Sequence, residues 1–289
     1  MRPTTGRKSL TDAPALGMVQ FVGAGPGGTD QVTRAAWRAL ETADVVLFDA
    51  LLDETGFREA SPEAEWIFVG KRSGRPSTEQ AFIGRQLVNH AARGRRVVRL
   101  KGGDPSIFGR LTEEVEAVRR AGIPFEILPG VTAASASAAT LGISLSARGL
   151  ARSIVFLTPA TGRGTDPGRN WVAAALAADT AVIYMGGHHR QAIARQLLAA
   201  GLPPERPVAL VENAGGTGER ERLTLQELAV ATPRPLSGPV CLILGDVVGE
   251  MVSPALQADL VSVGASEVDA SRMNAPVWVV ADTSGGLHA

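Results

Sequence analysis

Two carboxylates in this chain stand directly after short apolar runs. Asp49 follows Val45-Val46-Leu47-Phe48, and Asp104 follows Val97-Val98-Arg99-Leu100-Lys101 with only Gly102-Gly103 between. Runs of this length rich in β-branched residues read as strands, and open α/β sheets hold their ligands beyond the carboxyl ends of strands. The two glycines let a ligand approach the backbone, while the Asp104 carboxylate can accept hydrogen bonds from amino or hydroxyl groups. For Asp49 the position leaves two readings open: an acid that faces a ligand, or a helix N-cap or surface loop acid.

Other polar turns follow apolar runs in the same way. They are Val22-Gly23-Ala24-Gly25-Pro26-Gly27-Gly28, Val69-Gly70-Lys71-Arg72, Pro129-Gly130-Val131-Thr132-Ala133 and Tyr184-Met185-Gly186-Gly187. The first resembles a dinucleotide fingerprint only superficially. Pro26 removes an amide where such a loop would feed a helix N-terminus, and Asp49, about 24 residues past Gly25, lacks the usual ribose context. A dinucleotide site is therefore rejected, leaving a ligand loop or a plain tight turn. Lys71 and Arg72 set two cations beside a glycine. Met185 offers a soft thioether to a flat ligand, although a lone methionine serves a core equally well. The adjacent pair His188-His189 would point about 100° apart on a helix with no cysteine or acid cluster nearby, so no metal site is expected.

The 29 basic and 29 acidic side chains cancel, so no overall field draws the chain to nucleic acid or an anionic membrane. The only cysteine, Cys241, lies in the apolar run Pro239-Val240-Cys241-Leu242-Ile243-Leu244, which excludes an intrachain disulfide framework. No apolar run approaches the roughly 18 residues of a membrane span, and the first residues lack a signal-peptide core, so a cytoplasmic protein is expected.

The elements that must position these residues alternate. Strands are predicted at Met18 to Val22, Val45 to Phe48, Trp66 to Val69, Arg96 to Leu100 and Phe125 to Leu128. Helices are predicted at Asp30 to Thr42, Glu79 to Ala92 and Leu111 to Ala121, the pattern of a largely parallel sheet. A second α/β unit is predicted from strands near 153–157, 181–184, 207–211 and 239–244, with an antiparallel strand at 219–225. The fold class is thus α/β, with an N-terminal α/β domain over 18–145 and a C-terminal one over 146–250. Residues 1–17 are expected to be a flexible extension, the loop 158–170 mobile, and 251–289 a tail of open role in which Trp278-Val279-Val280 is a candidate short strand.

Taken together, in order and spacing, these stretches resemble the uroporphyrinogen-III C-methyltransferases of sirohaem and cobalamin synthesis over roughly residues 18 to 250. The resemblance implies two α/β domains with a cleft between them, S-adenosylmethionine as methyl donor with S-adenosylhomocysteine as product, a small-molecule tetrapyrrole as substrate and a homodimer. It carries cofactor contacts onto Pro26, Gly102, Gly103, Asp104, Ile107, Thr132, Ala133, Met185 and Ala214, the last at a position that is often glycine. It assigns Asp49 as proton acceptor and Lys71 as proton donor, although Lys71 could equally steer substrate carboxylates. Because the substrate is edged with carboxylates, Arg72, Arg99, Lys101, Arg110, Arg148 and Arg152 become candidate contacts. Strand alternation puts Arg99 and Lys101 on one face, with Leu100 on the other.

The chain departs from the family pattern on the substrate side. Tyr-Asp-Arg-Leu is here Phe48-Asp49-Ala50-Leu51, Leu-Thr-His-Arg is Leu145-Ser146-Ala147-Arg148, and Arg75-Pro76 stands where Tyr-His is frequent. The implied reaction is two C-methylations of uroporphyrinogen-III to precorrin-2 by way of precorrin-1. The alternatives are methylation of a later precorrin, or a cofactor-binding protein with impaired catalysis.

Overall fold

The five apolar runs of the first half become parallel neighbours. In the computed structural model, which describes residues 16–70, 80–159, 170–216, 218–232 and 234–250, they are β1 (Met18–Gly23), β2 (Val45–Phe48), β3 (Glu65–Phe68), β4 (Arg96–Lys101) and β5 (Phe125–Leu128). Their order across the sheet is β3-β2-β4-β1-β5, every pairing parallel. Parallel strands require crossovers, supplied here by α1 (Arg34–Glu41), α2 (Thr55–Arg58), α3 (Gln80–Ala91) and α4 (Leu111–Arg120).

Alternation along each strand sorts the core. Val22, Val46, Val98 and Leu100 pack under α1 and α2 with Leu40 and Phe57. Val19, Phe21, Leu47 and Val97 face α3 and α4 with Leu87 and Val118. Burial of each large side chain such as Phe21 or Leu47 stabilises the fold by about 2 kcal/mol. Neighbouring β1 and β4 send their connections to opposite faces, β1 through α1 and β4 through α4. A crevice opens between two such strand ends.

The expected helix from Asp30 to Thr42 is interrupted. Thr29–Gln31 forms a single 3₁₀ turn, Val32 is extended, and α1 restarts at Arg34 because the Thr33 hydroxyl accepts the Ala36 amide at 3.1 Å as an N-cap.

The second sheet joins β6 (Ile154–Leu157), β7 (Thr180–Tyr184), β8 (Pro207–Glu212), β9 (Arg220–Thr224) and β10 (Val240–Gly245) in the order β6-β7-β10-β8-β9. Only β6 and β7 pair in parallel; β10 runs antiparallel to both neighbours, and β9 runs antiparallel to β8 as its sequence predicts. One face is covered by α5 (Ala133–Leu141), whose Ala134 and Ala136 let the helix lie close to Val182, Ala209, Cys241 and Ile243. The other face is covered by α6 (Asn170–Ala177), α7 (Arg190–Ala199) and α8 (Leu225–Val230). The chain's packing therefore passes to the second sheet at α5, ahead of residue 145. Burial raises the Cys241 thiol to about 11. The extension 1–15, most of the 158–170 loop and the 251–289 tail lie outside the described residues.

Candidate active site

Three glycines meet where β1, β4 and β5 end. A Cβ on Gly23 would come within 2.5 Å of the Gly130 amide nitrogen and 2.8 Å of the Gly103 carbonyl oxygen, and one on Gly130 would overlap the same Gly103 oxygen. These backbones touch directly, so Gly23 and Gly130 have no room for any side chain. Gly103 differs. Its φ of +71° favours glycine, yet a Cβ there would meet nothing nearer than 4.0 Å, so the backbone at this turn lies open to a ligand. A bridge between Gly25 and Gly103 holds the loops after β1 and β4 together, with Pro26 half-buried beside it.

Asp104 latches this junction. Its Oδ1 accepts the Ser106 amide at 2.8 Å and the Ser106 hydroxyl, and its Oδ2 accepts the Gly130 amide at 3.0 Å. The carboxylate expected to receive a ligand is thus already bonded within the protein, with lone-pair capacity left on Oδ2.

The opposite wall belongs to the second sheet. The Tyr184 hydroxyl lies 2.6 Å from Thr132 Oγ1 and accepts the Ala134 amide at 3.1 Å; burial pushes its pKa up. The Phe108 ring meets Tyr184 edge-on at 5.0 Å, and Ile107 and Ala133 pack on the same cluster, which also contains buried Ala214. Gly27 closes against Gly215 in the loop after β8. Met185 stands exposed beyond β7. Phe108, Arg110, Met185 and Asn213 are the non-glycine residues with left-handed φ among the described ones, and all follow β4, β7 or β8. Strain of this kind persists where the surroundings fix it, and it gathers at ligand sites.

Asp49 stands one strand away, at the end of β2. Its Oδ1 accepts the Leu51 amide at 3.2 Å, and its Oδ2 lies 3.5 Å from Arg99 Nη2. Arg99 and Lys101 do share a face, as alternation predicts, but that face is interior. Both are buried and both pair with Glu114 of α4, so they present no free cation to a substrate. Burial, then the Arg99 charge, pushes the Lys101 ammonium's pKa down, while Glu114 pulls it back up. Their expected role as direct substrate contacts is corrected: a strand facing a helix-covered side holds its cations inside, and only a buried acid makes that tolerable.

Arg110 is exposed and pairs with Glu113 at 2.9 Å, and Arg148 and Arg152 are exposed between α5 and β6. Lys71 and Arg72 lie outside the described residues, as do Arg75 and Pro76. Among the described residues no group of His, Cys, Asp and Glu could hold a metal, and no helix is long and apolar enough to cross a membrane.

The sequence reading missed Gly23 and Gly130 as junction residues, and it missed Ser106, Tyr184 and Glu114. The one available signal was Tyr184, the sole tyrosine, next to Met185.

Residues 18–229 match the family model of the tetrapyrrole (corrin/porphyrin) methylases. The chain belongs to this family. Among similar methylases, the uroporphyrinogen-III C-methyltransferase of Pseudomonas aeruginosa is 44% identical over 239 residues, which cover 82% of this chain and 96% of that one. A siroheme synthase from Tolumonas auensis is 42% identical over 240 residues, and there the match takes in 50% of the relative's length. The crystal structure of the Thermus thermophilus uroporphyrin-III C-methyltransferase complexed with S-adenyl homocysteine superposes with a TM-score of 0.69 at 38% identity, covering 81% of this methylase and 100% of that chain. The cobalt precorrin-4 methyltransferase gives the same TM-score at 25% identity over 80% and 95% of the two chains.

Proposed function

We propose that this methylase transfers methyl groups from S-adenosylmethionine to C2 and C7 of uroporphyrinogen-III, giving precorrin-2 by way of precorrin-1. One observation carries the reading: an acid, Asp49, stands partly exposed at the end of β2, beside the open glycine turn that ends β4. The likeness to the Pseudomonas enzyme over nearly its whole length supports the substrate.

When bound, S-adenosylmethionine supplies a methyl group made electrophilic by its sulfonium. Pro26, Gly102, Gly103, Asp104, Ile107, Thr132, Ala133, Met185 and Ala214 would hold it, and the open backbone at Gly103 fits such a ligand. Asp49 stabilises the positive charge that the macrocycle acquires when a ring carbon takes the methyl, and accepts the proton then shed. Lys71 donates a proton or steers carboxylates, and Arg72, Arg110, Arg148 and Arg152 meet the substrate's acidic edge. Positioning and electrostatics supply most of the acceleration.

This reading keeps two α/β domains, expected over 18–145 and 146–250, with the boundary drawn back ahead of α5 because that helix packs on the second sheet, and takes the protein to act in the cytoplasm as a homodimer. Phe125 and Ile127, exposed on the edge strand β5, support self-association. Methylation of a later precorrin is the second reading, and Ala50 and Ala147, where the resembling family carries arginine and histidine, raise a third, a cofactor-binding protein with impaired catalysis.

Anaerobic incubation of the pure protein with uroporphyrinogen-III and labelled S-adenosylmethionine decides. Two methyls per macrocycle are expected. Transfer only to later precorrins establishes the second reading, and cofactor binding without transfer to any tetrapyrrole indicates impaired catalysis. In the same assay Asp49→Asn should lower kcat about 100-fold or more with cofactor affinity unchanged; a normal rate removes Asp49 from the mechanism.

A further inference from the structure

We propose that Glu114 is a positioning residue for methyl transfer, holding Arg99 so that Arg99 in turn fixes the carboxylate of Asp49. The inference rests on the reading of Asp49 as proton acceptor. Glu114, in the first turn of α4, is 0% exposed. Its Oε1 accepts Gln80 Nε2 at 2.6 Å, Lys101 Nζ at 3.1 Å and Arg99 Nε at 3.3 Å, and its Oε2 accepts Lys101 Nζ at 3.0 Å. Arg99 spends Nη1 on the carbonyls of Leu100 and Leu47, at 2.9 and 3.4 Å. With Nε and Nη1 committed, the planar guanidinium cannot rotate, and Nη2 is left to its ion-pair contact with Asp49 Oδ2, 3.5 Å away.

The four charged groups balance, two anions against two cations, and Asp49 alone among them is more than marginally exposed, its side chain at 22%. Stability does not account for such a cluster, since well-packed apolar residues in place of a buried ion network are often neutral or better. What the cluster specifies is geometry. Leu51 fixes one oxygen of Asp49 from its own loop, and Glu114, through Arg99, fixes the other from beneath the sheet.

A double-mutant cycle tests this. Glu114→Gln, of nearly unchanged shape, should lower kcat by about 10- to 100-fold while the affinity for S-adenosylhomocysteine stays within about twofold. In an Asp49→Asn background the same change should cost nothing further, because there is no carboxylate left to position. Equal losses in both backgrounds, or an unchanged kcat in the single variant, overturn the inference. If Asp49→Asn alone leaves kcat intact, the acceptor reading itself fails and this inference falls with it. Should Glu114→Gln not fold, Arg99→Lys, which keeps the cation but not the planar fork, enters the same cycle with the same deciding outcomes.

Discussion

The hydroxyl groups of Tyr184 and Thr132 lie 2.6 Å apart, and the Tyr184 oxygen also accepts the Ala134 amide. Thr132 is the N-cap residue of α5, yet its side chain does not cap that helix; β7 does so through Tyr184. Tyr184→Phe should therefore leave an orphan amide at the start of α5 and cost about 1–2 kcal/mol, read as a lower urea midpoint. Cofactor affinity should fall with it, because Thr132 and Ala133 lose their anchor. An unchanged midpoint would show that the cap is dispensable.

The glycine junction makes a contrasting pair. Gly130→Ala forces a Cβ into the Gly103 backbone, and its expected outcome is protein that does not accumulate in folded form. Gly103→Ala meets no such wall and should cost only about 1–2 kcal/mol for its left-handed φ, while fouling the ligand side of the turn. Circular dichroism and cofactor titration separate the two. Tight binding by folded Gly103→Ala would move the cofactor elsewhere.

Asp104 joins the turn after β4 to the start of the β5–α5 loop. Asp104→Ala frees the Gly130 amide and both Ser106 donors, so stability should drop by about 2 kcal/mol and cofactor affinity at least tenfold. Asp104→Asn keeps one acceptor oxygen and should fall between. Calorimetric titration reads the affinities, and equal behaviour of the two variants would argue against the latch.

Glu212 carries an acid-dependent share of stability. Burial works to raise its pKa but is outweighed by bonds from Ser237, Arg234 and the Gly238 amide, which hold the carboxyl at about 2 against an ordinary 4.5. The folded value is depressed, so the contribution is full above about pH 4.5 and is lost as pH falls towards 2; it amounts to something on the order of 3 kcal/mol. The gap in unfolding free energy between the native protein and Glu212→Gln should stay constant from pH 7 to about 5 and close below that. A gap that is flat down to pH 3 would refute the assignment.

Much of this was legible in the sequence because strands announce themselves through β-branched runs, and Asp49 and Asp104 announce themselves by following such runs. The antiparallel β9 falls within the stretch 219–225 expected to form such a strand. What stayed hidden was long-range. Arg99 and Lys101 read as a polar strand face because their partner, Glu114, lies across a helix junction, 15 and 13 residues on. Tyr184 reaches back 52 residues to Thr132, beyond any local pattern. The helix from Asp30 was overextended for a local reason: Thr33 reads as an ordinary interior residue until its hydroxyl is seen to cap α1.

Cys241 has a practical consequence. The protein's lone sulfhydryl is sealed between α5 and the second sheet and is poorly ionised at neutral pH, so an alkylating reagent can reach it only when that layer opens. The rate of its modification therefore times the opening of the fold, giving a clock for how bound ligands slow that event.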